Sequence, residues 1–267
     1  MEVGGWRLEV GGWRLEVGNS WPWSVRDAVV EWCRQVSAEP WLWTLFPWTP
    51  TRNLTDASDT LAAALARADL SLDDDQIAEL DRYCRALWSW NEKLNLTRHT
   101  TYDKFVARDV VDSEQLERLI DSGSRVLDVG SGSGVPGVIL SILRPDLDVT
   151  LCESVAKKAA ALAAIVEEAG GRTPVVHARA EELLKGERFD ALVVRAVAPL
   201  YKLLTWFESH WDSIGQLLVI KGPAWADERA AARERRLLRG LELRKAAEYE
   251  TPGTGAQNVI LRIAPGE

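Results

Sequence analysis

The stretch Arg125–Gly137, RVLDVGSGSGVPG, constrains the fold of this chain more than any other. Val126, Leu127 and Val129 make a short β-prone run, and Gly130, Gly132 and Gly134 allow a sharp reversal that brings bare backbone against a ligand. Pro136 suits the first turn of a following helix, where its missing N–H costs nothing. Val138, Ile139, Ile142 and Leu143 then supply a buried face before Pro145. Strand, glycine turn and helix in that order open a doubly wound α/β sheet, whose ligands bind outside the carboxyl ends of the strands. A ligand is therefore expected to meet Asp128 through Gly134.

Gly132, Gly134 and Gly137 also fit the dinucleotide fingerprint G-x-G-x-x-G. Against that stands the tighter G-x-G-x-G of Gly130, Gly132 and Gly134, with Glu153 closing the next strand, VTLCE. Glu153 lies 21 positions after Gly132, close to the ~20 at which a carboxylate accepts from ribose hydroxyls. Nicotinamide and S-adenosylmethionine enzymes share this device. The acidic residue inside the first strand resembles the S-adenosylmethionine-dependent methyltransferases, and a dinucleotide enzyme is the alternative. A purely structural turn is the third reading, although three glycines cost backbone entropy with no packing return.

The 267 residues suffice for one large domain or one and a half. No run of 18 apolar residues and no signal-peptide pattern occurs, so the expectation is a cytoplasmic protein without a membrane partner. Cys33, Cys84 and Cys152 are widely spaced, with only His99, His177 and His210 to help, and no metal site is expected. A net charge of −8 argues against a chain coated in nucleic acid and leaves only a local basic face for a polyanion.

The first 53 residues differ from the rest. EVGGWRL occurs twice from Glu2 to Leu15, and eight of the 13 tryptophans precede Thr49. Two copies cannot build a solenoid, so residues 1–53 read as an unstructured or adventitious extension. Residues 54–123 read as a helical cap and linker: a capping box at Ser71–Asp74 opens a helix to about Leu94, and a second helix runs from Tyr102 to Ile120. Residues 124–267 alternate as an α/β domain. Further strands are predicted at 149–153, 174–177, 191–195 and 216–220, with a closing antiparallel pair in 241–250 and 258–263. Helices are predicted at 155–169, 181–185, 199–211 and 225–239.

The strand ends carry Asp128, Glu153, Ala180, Glu181, Arg195 and Lys221. Ala180 and Glu181 are placed to lie beside an adenine, and a first-turn helix charge is the plainer reading of Glu181. Arg195 ends an apolar run, LVVRAV, where a guanidinium must be paired or must reach a ligand such as a methionine carboxylate or a phosphate. Lys221 in VIKGP has the same logic, with a snorkelling surface role as the alternative. Asn91 and Asn95 stand at i and i+4 beside Trp88, Trp90, Arg98 and His99, residue types that read an unpaired base. Packing by the tryptophans and a helix-end role for Asn95 is the plainer account. Arg229, Arg233, Arg235, Arg236, Arg239, Arg244 and Lys245 mark an RNA-facing or simply solvated charged segment.

WNEKLNLT, VARDVVDS, LDVGSGSGVPG, LCES with AKK, RAEEL, FDALVVRAVAPL and VIKG stand in this order and spacing. Together they resemble the bacterial small-subunit rRNA (guanine-N7) methyltransferases, the RsmG or GidB family, over residues 72–263. The resemblance implies a Rossmann-like class I S-adenosylmethionine methyltransferase fold with a seven-stranded sheet and a small N-terminal helical cap. It implies methyl transfer from S-adenosylmethionine to N7 of a guanosine in the decoding region of 16S rRNA, by a cytoplasmic monomer acting on rRNA or the small ribosomal subunit. Cofactor contacts carry over to Gly130, Gly132, Gly134, Val135, Glu153, Ser154, Ala180, Glu181 and Arg195. Asn91, Asn95, Arg98, Arg108 and Lys221 fall on the RNA side, with Arg195 or Lys221 as possible orienting groups for the guanine. Asp109 stands where members usually carry His, and Val135 replaces a bulkier Phe or Leu. N7 bears a lone pair and no proton, so no acid–base dyad is required. A methyltransferase acting on a protein or small molecule is the alternative, and a catalytically idle binding protein with a tryptophan-rich docking arm is the reading from another class.

Overall fold

The computed structural model describes residues 6–10, 13–17 and 59–266, and the chain divides into two compact units, Met1–Asp56 and Ala57–Glu267. In the first unit, β1 (Trp6–Val10) pairs antiparallel with β2 (Trp13–Val17), Trp6 opposite Val17 and Val10 opposite Trp13. The two repeat copies therefore form a hairpin where unstructured chain was expected. Two identical WRLEV segments on either side of a Gly-Gly pair are a hairpin pattern in their own right. The remainder of the extension to residue 53 lies outside the described residues.

The second unit begins with α1 (Leu61–Arg67) and α2 (Asp74–Leu94). The box that opens α2 is Asp73 with Gln76, two residues later than predicted. The Gln76 N–H donates to the Asp73 carboxylate at 2.8 Å and the Asp73 N–H to the Gln76 side chain at 3.2 Å. Asn95 ends the helix in the left-handed conformation, φ 48°. The single helix expected over 102–120 is three pieces: α3 (Tyr102–Phe105), a π-helical turn at Val106–Val110, and α4 (Val111–Glu117). The wider turn accommodates an extra residue, and Asp109, Asp112 and Ser113 are all buried around it.

From here strands and helices alternate: β3 (Arg125–Val129), α5 (Gly137–Leu143), β4 (Asp148–Glu153), α6 (Ala156–Glu168), β5 (Val175–His177) and α7 (Ala180–Leu183). They continue as β6 (Phe189–Arg195), α8 (Leu200–Phe207), β7 (Ile214–Lys221), α9 (Trp225–Glu234), β8 (Leu241–Glu250) and β9 (Gln257–Pro265). The α9 helix stops five residues short of the predicted 239. Arg236 takes φ 60° there and the Leu237 N–H turns back to the Ala232 carbonyl, a left-handed termination.

The sheet order is β5-β4-β3-β6-β7-β9-β8. The first five strands are parallel, β9 is antiparallel to β7, and β8 is antiparallel to β9. Period-2 alternation divides two cores between the faces. Val126, Ala191, Val193, Leu218 and Ile220 pack with α1, α2, α5 and α6. Leu127, Val129, Leu192, Val194, Leu217 and Val219 pack with α8 and α9. Among the described residues no helix is long and apolar enough to cross a membrane.

Candidate cofactor and substrate site

The chain leaves β3 through α5 to β4 on one side, while β6 lies on the other, so the strand order reverses between β3 and β6. The crevice at the carboxyl ends of these two strands is where a doubly wound sheet takes its ligand. Both edges of that crevice are built from sequence-predicted residues. Gly130 and Ser131 donate their N–H groups to the Cys152 carbonyl at 2.8 and 3.1 Å, which folds the turn back over β4. At Gly130, φ +68°, a Cβ would stand 2.8 Å from Val197. At Gly134, φ +99°, it would stand 2.8 Å from Val138 and 2.9 Å from Leu162. These two glycines make room for protein. At Gly132, φ +56°, a Cβ would meet only the Gly130 carbonyl at 3.7 Å, so its backbone is bare.

Asp128 sits beneath the turn, buried, and accepts the Gly137 N–H at 3.0 Å, which ties the end of β3 to the start of α5. Burial pushes its carboxyl up to about 7, with the Gly137 hydrogen bond acting against the rise. Glu153 is also buried. One of its oxygens accepts from the Gly132 N–H at 3.0 Å and the other from the Val155 N–H at 2.8 Å. Ser154 is exposed beside it. Ala180 is buried at the first residue of α7, and Glu181 is held by its neighbour Arg179 at 3.1 Å. Val135 is buried in the core beside the cap.

Arg195 reaches two buried carboxylates supplied by the cap. Its Nη2 lies 2.5 Å from Asp109 and its Nε 3.3 Å from Asp112, while its Nη1 is buried with no hydrogen-bond partner. Asp109 also meets His99 Nδ1 at 2.8 Å, and Asp112 accepts from the Tyr249 hydroxyl at 2.6 Å. Burial works against the Arg195 charge, but Asp109 and Asp112 outweigh it and hold the guanidinium firmly protonated. Burial raises the Asp112 carboxyl, and Arg195 opposes the rise. Asp109 is thus the shared acceptor of a cation on β6 and an imidazole on the cap.

The RNA-side residues are more dispersed. Lys221 does not project as a free donor. Its ammonium donates to the Ala198 carbonyl at 2.8 Å and pairs with Glu228 at 2.7 Å, and Glu228 accepts the Leu200 N–H at 2.7 Å. These contacts fix the β6–α8 loop, where Ala196 has φ 54° and Val197 covers Gly130. Asn91 accepts the Thr97 N–H at 2.8 Å and Asn95 caps the helix through its backbone, so both shape the end of α2. Trp88 donates to the His99 carbonyl and Trp90 to Glu168. Arg108 donates to Thr251 at 2.9 Å, and Arg98 is exposed. Among the described residues no cluster of His, Cys, Asp or Glu is composed to hold a metal ion.

Sequence reading misses Tyr83, whose hydroxyl donates to the Ser133 carbonyl at 2.7 Å and docks α2 on the glycine turn. Its position three after Leu80 and four before Leu87 on the buried helix face was the available signal. The partners of Arg195 were signalled by two acidic residues spaced i, i+3 inside VARDVVDS. An open groove of about 410 Å³ lined by Gly240, Leu241, Glu242, Arg244 and Gly266 lies at the opposite, amino edge of the sheet.

The family model described as rRNA small subunit methyltransferase G matches residues 76–256. A protein of Rhodopirellula baltica named ribosomal RNA small subunit methyltransferase G is 50% identical over 186 residues, which are 70% of this chain and 80% of the relative. One of the same name from Roseiflexus castenholzii is 38% identical over 204 residues, 73% and 87% of the two chains. Among solved structures, an O-methyltransferase from Bacillus cereus in complex with SAH superposes with a TM-score of 0.51 at 14% identity, covering 78% of this chain and 98% of that one, a likeness of fold. On the extent of the family match and these identities, the chain belongs to the rRNA small subunit methyltransferase G family.

Proposed function

We propose that this chain transfers the methyl group of S-adenosylmethionine to N7 of a guanosine in 16S rRNA, acting as a cytoplasmic monomer on the rRNA or the small subunit. The observation that carries this reading is the pairing of bare Gly132 backbone with buried Glu153 at the carboxyl ends of β3 and β4, in a chain of this family. The residues fit the cofactor. Each Glu153 oxygen accepts one backbone N–H and retains a lone pair for a ribose hydroxyl. Arg195 Nη1 is a buried charged donor with no partner, suited to the cofactor's carboxylate. When bound, S-adenosylmethionine supplies an electrophilic methyl group on a sulfonium.

The chain's own task is then positioning. Guanine N7 needs no deprotonation, and Asp128, whose carboxyl burial raises to about 7, is committed to the Gly137 N–H. Tyr83, Lys221 and Glu228 fix the glycine turn and the β6–α8 loop on the two sides of the crevice, which holds reactants in line and lowers the entropic part of the barrier. Asp109 and Asp112 hold the Arg195 guanidinium in one orientation beside the crevice, so its free Nη1 needs no reorganisation to meet the cofactor.

The test is labelled methyl transfer to isolated small subunits and to protein-free 16S rRNA, with nucleoside analysis. The expected product is 7-methylguanosine in at least one substrate. Cofactor binding without any labelled rRNA would overturn the assignment in favour of another substrate.

A further inference from the structure

We propose that Arg233, Arg236 and Arg239, at the end of α9 and in the turn before β8, form a second contact surface for the rRNA phosphate backbone, separate from the methyl-transfer edge. The proposal rests on the reading of the chain as an rRNA methyltransferase. Several surface cations elsewhere are matched to carboxylates, among them Arg85 to Asp81, Arg125 to Glu187, Lys185 to Glu182, Arg244 to Glu242 and Lys245 to Glu248, while others stand singly among the described residues, such as Arg172 and Lys202. Residues 233–239, RERRLLR, set four arginines against Glu234. Arg233, Arg236 and Arg239 are exposed, and none is paired with a carboxylate among the described residues.

Local stability does not account for this arrangement. Arg233, in the last turn of α9, suits the helix dipole. Arg239 lies five residues beyond the helix, outside the reach of its dipole. Arg236 occupies φ 60°, where glycine is accommodated at lower cost. Arg235 carries its Cζ over the Tyr201 ring, 4.0 Å from the ring centre, a contact that ties the turn to α8. One helical turn earlier, Arg229 Nε is buried without a partner. A residue set that violates local preference without a packing return marks function.

The chemistry favours a phosphate chain. Guanidinium forks bind phosphate oxygens bidentately, and a chain of net charge −8 must gather its cations on one face to hold a polyanion. The patch sits at the amino edge, where Leu241 opens β8 opposite Pro265. The eight residues of β7 separate it from the carboxyl-edge crevice, about 25 Å at the usual rise per residue. The surface therefore engages rRNA that flanks the target guanosine in space.

The test compares wild type with the triple variant Arg233→Gln, Arg236→Gln, Arg239→Gln in binding protein-free 16S rRNA across a salt series, and in steady-state methylation. The expected slope of log affinity against log salt is shallower by about 2–3, with rRNA affinity at least about tenfold weaker at ~0.1 M salt. KM for rRNA rises while kcat, S-adenosylmethionine affinity and thermal midpoint hold, the mark of binding shared by ground and transition states. The triple Lys variant retains the slope, and Arg239→Gln alone lowers it by about 0.7–0.9. An unchanged slope and KM in the Gln triple overturns the proposal. Weakened binding to assembled subunits with none to protein-free rRNA also overturns it and assigns the patch to a protein partner. A wild type that binds rRNA with the steep slope yet makes no 7-methylguanosine overturns the methyl-transfer reading and leaves this surface supported.

Discussion

Burial sets the charge of Asp128. Its carboxyl, raised to about 7 from an ordinary 3.8, binds its proton more tightly in the folded chain than in the unfolded one. The stabilisation from that proton is fully present below about pH 4 and is lost as pH rises through 7. Asp128→Asn keeps an acceptor for the Gly137 N–H without the charge. It should match wild type near pH 4 and exceed it at pH 8 by up to about 4 kcal/mol, read from urea midpoints at the two pH values. Arg195 poses the opposite problem, since removing it strands two buried carboxylates. Arg195→Met should cost about 3–5 kcal/mol in urea unfolding and also weaken S-adenosylmethionine binding by calorimetry. Stability loss with unchanged cofactor affinity would confine Arg195 to the ion-pair cluster.

Among the elements, α2 and the broken helix of residues 102–117 do more than cover the sheet. Tyr83 on α2 holds the Ser133 carbonyl, and the π-turn delivers Asp109 to Arg195. Tyr83→Phe keeps the ring against Phe105, 6.1 Å between centroids, and deletes only the hydroxyl. A loss of about 0.5–1.5 kcal/mol is expected because a partly buried carbonyl loses its donor, with a several-fold drop in cofactor affinity as the turn loosens. Thermal unfolding and calorimetry together check this. The strands of the seven-stranded sheet and α2 were legible from periodicity and punctuation. The π-turn was not: its apolar spacing reads as ordinary α-helix, and the extra residue appears only once Arg195 and Thr251 claim Asp109 and Arg108.

For the whole molecule, Ala57–Glu267 is compact by itself and contains the full family match at 76–256. A chain starting at residue 57 should therefore unfold in a single transition and retain methyl-transfer kcat within about twofold of the full chain. A large loss in a labelled-methyl assay would give the tryptophan-rich extension a part in the activity. The ties that unite cap and sheet are long in sequence: Tyr83 to Ser133 spans 50 residues, Asp109 to Arg195 spans 86 and Arg108 to Thr251 spans 143.

The order of strands and helices from β3 onward, the glycine turn, the carboxylate at the end of β4 and the family were all determined by the sequence alone. Those features follow from local rules: the period of apolar residues, the conformational freedom of glycine and fixed spacings. Tertiary structure decided that Lys221 braces a loop instead of reaching outward, that Asn91 closes a helix end, and that Arg195 is paired with Asp109 and Asp112. Periodicity fixes the face on which a side chain lies. Which group it meets there depends on the docking of elements far apart in the chain, and for a buried polar group that partner decides its charge and its role.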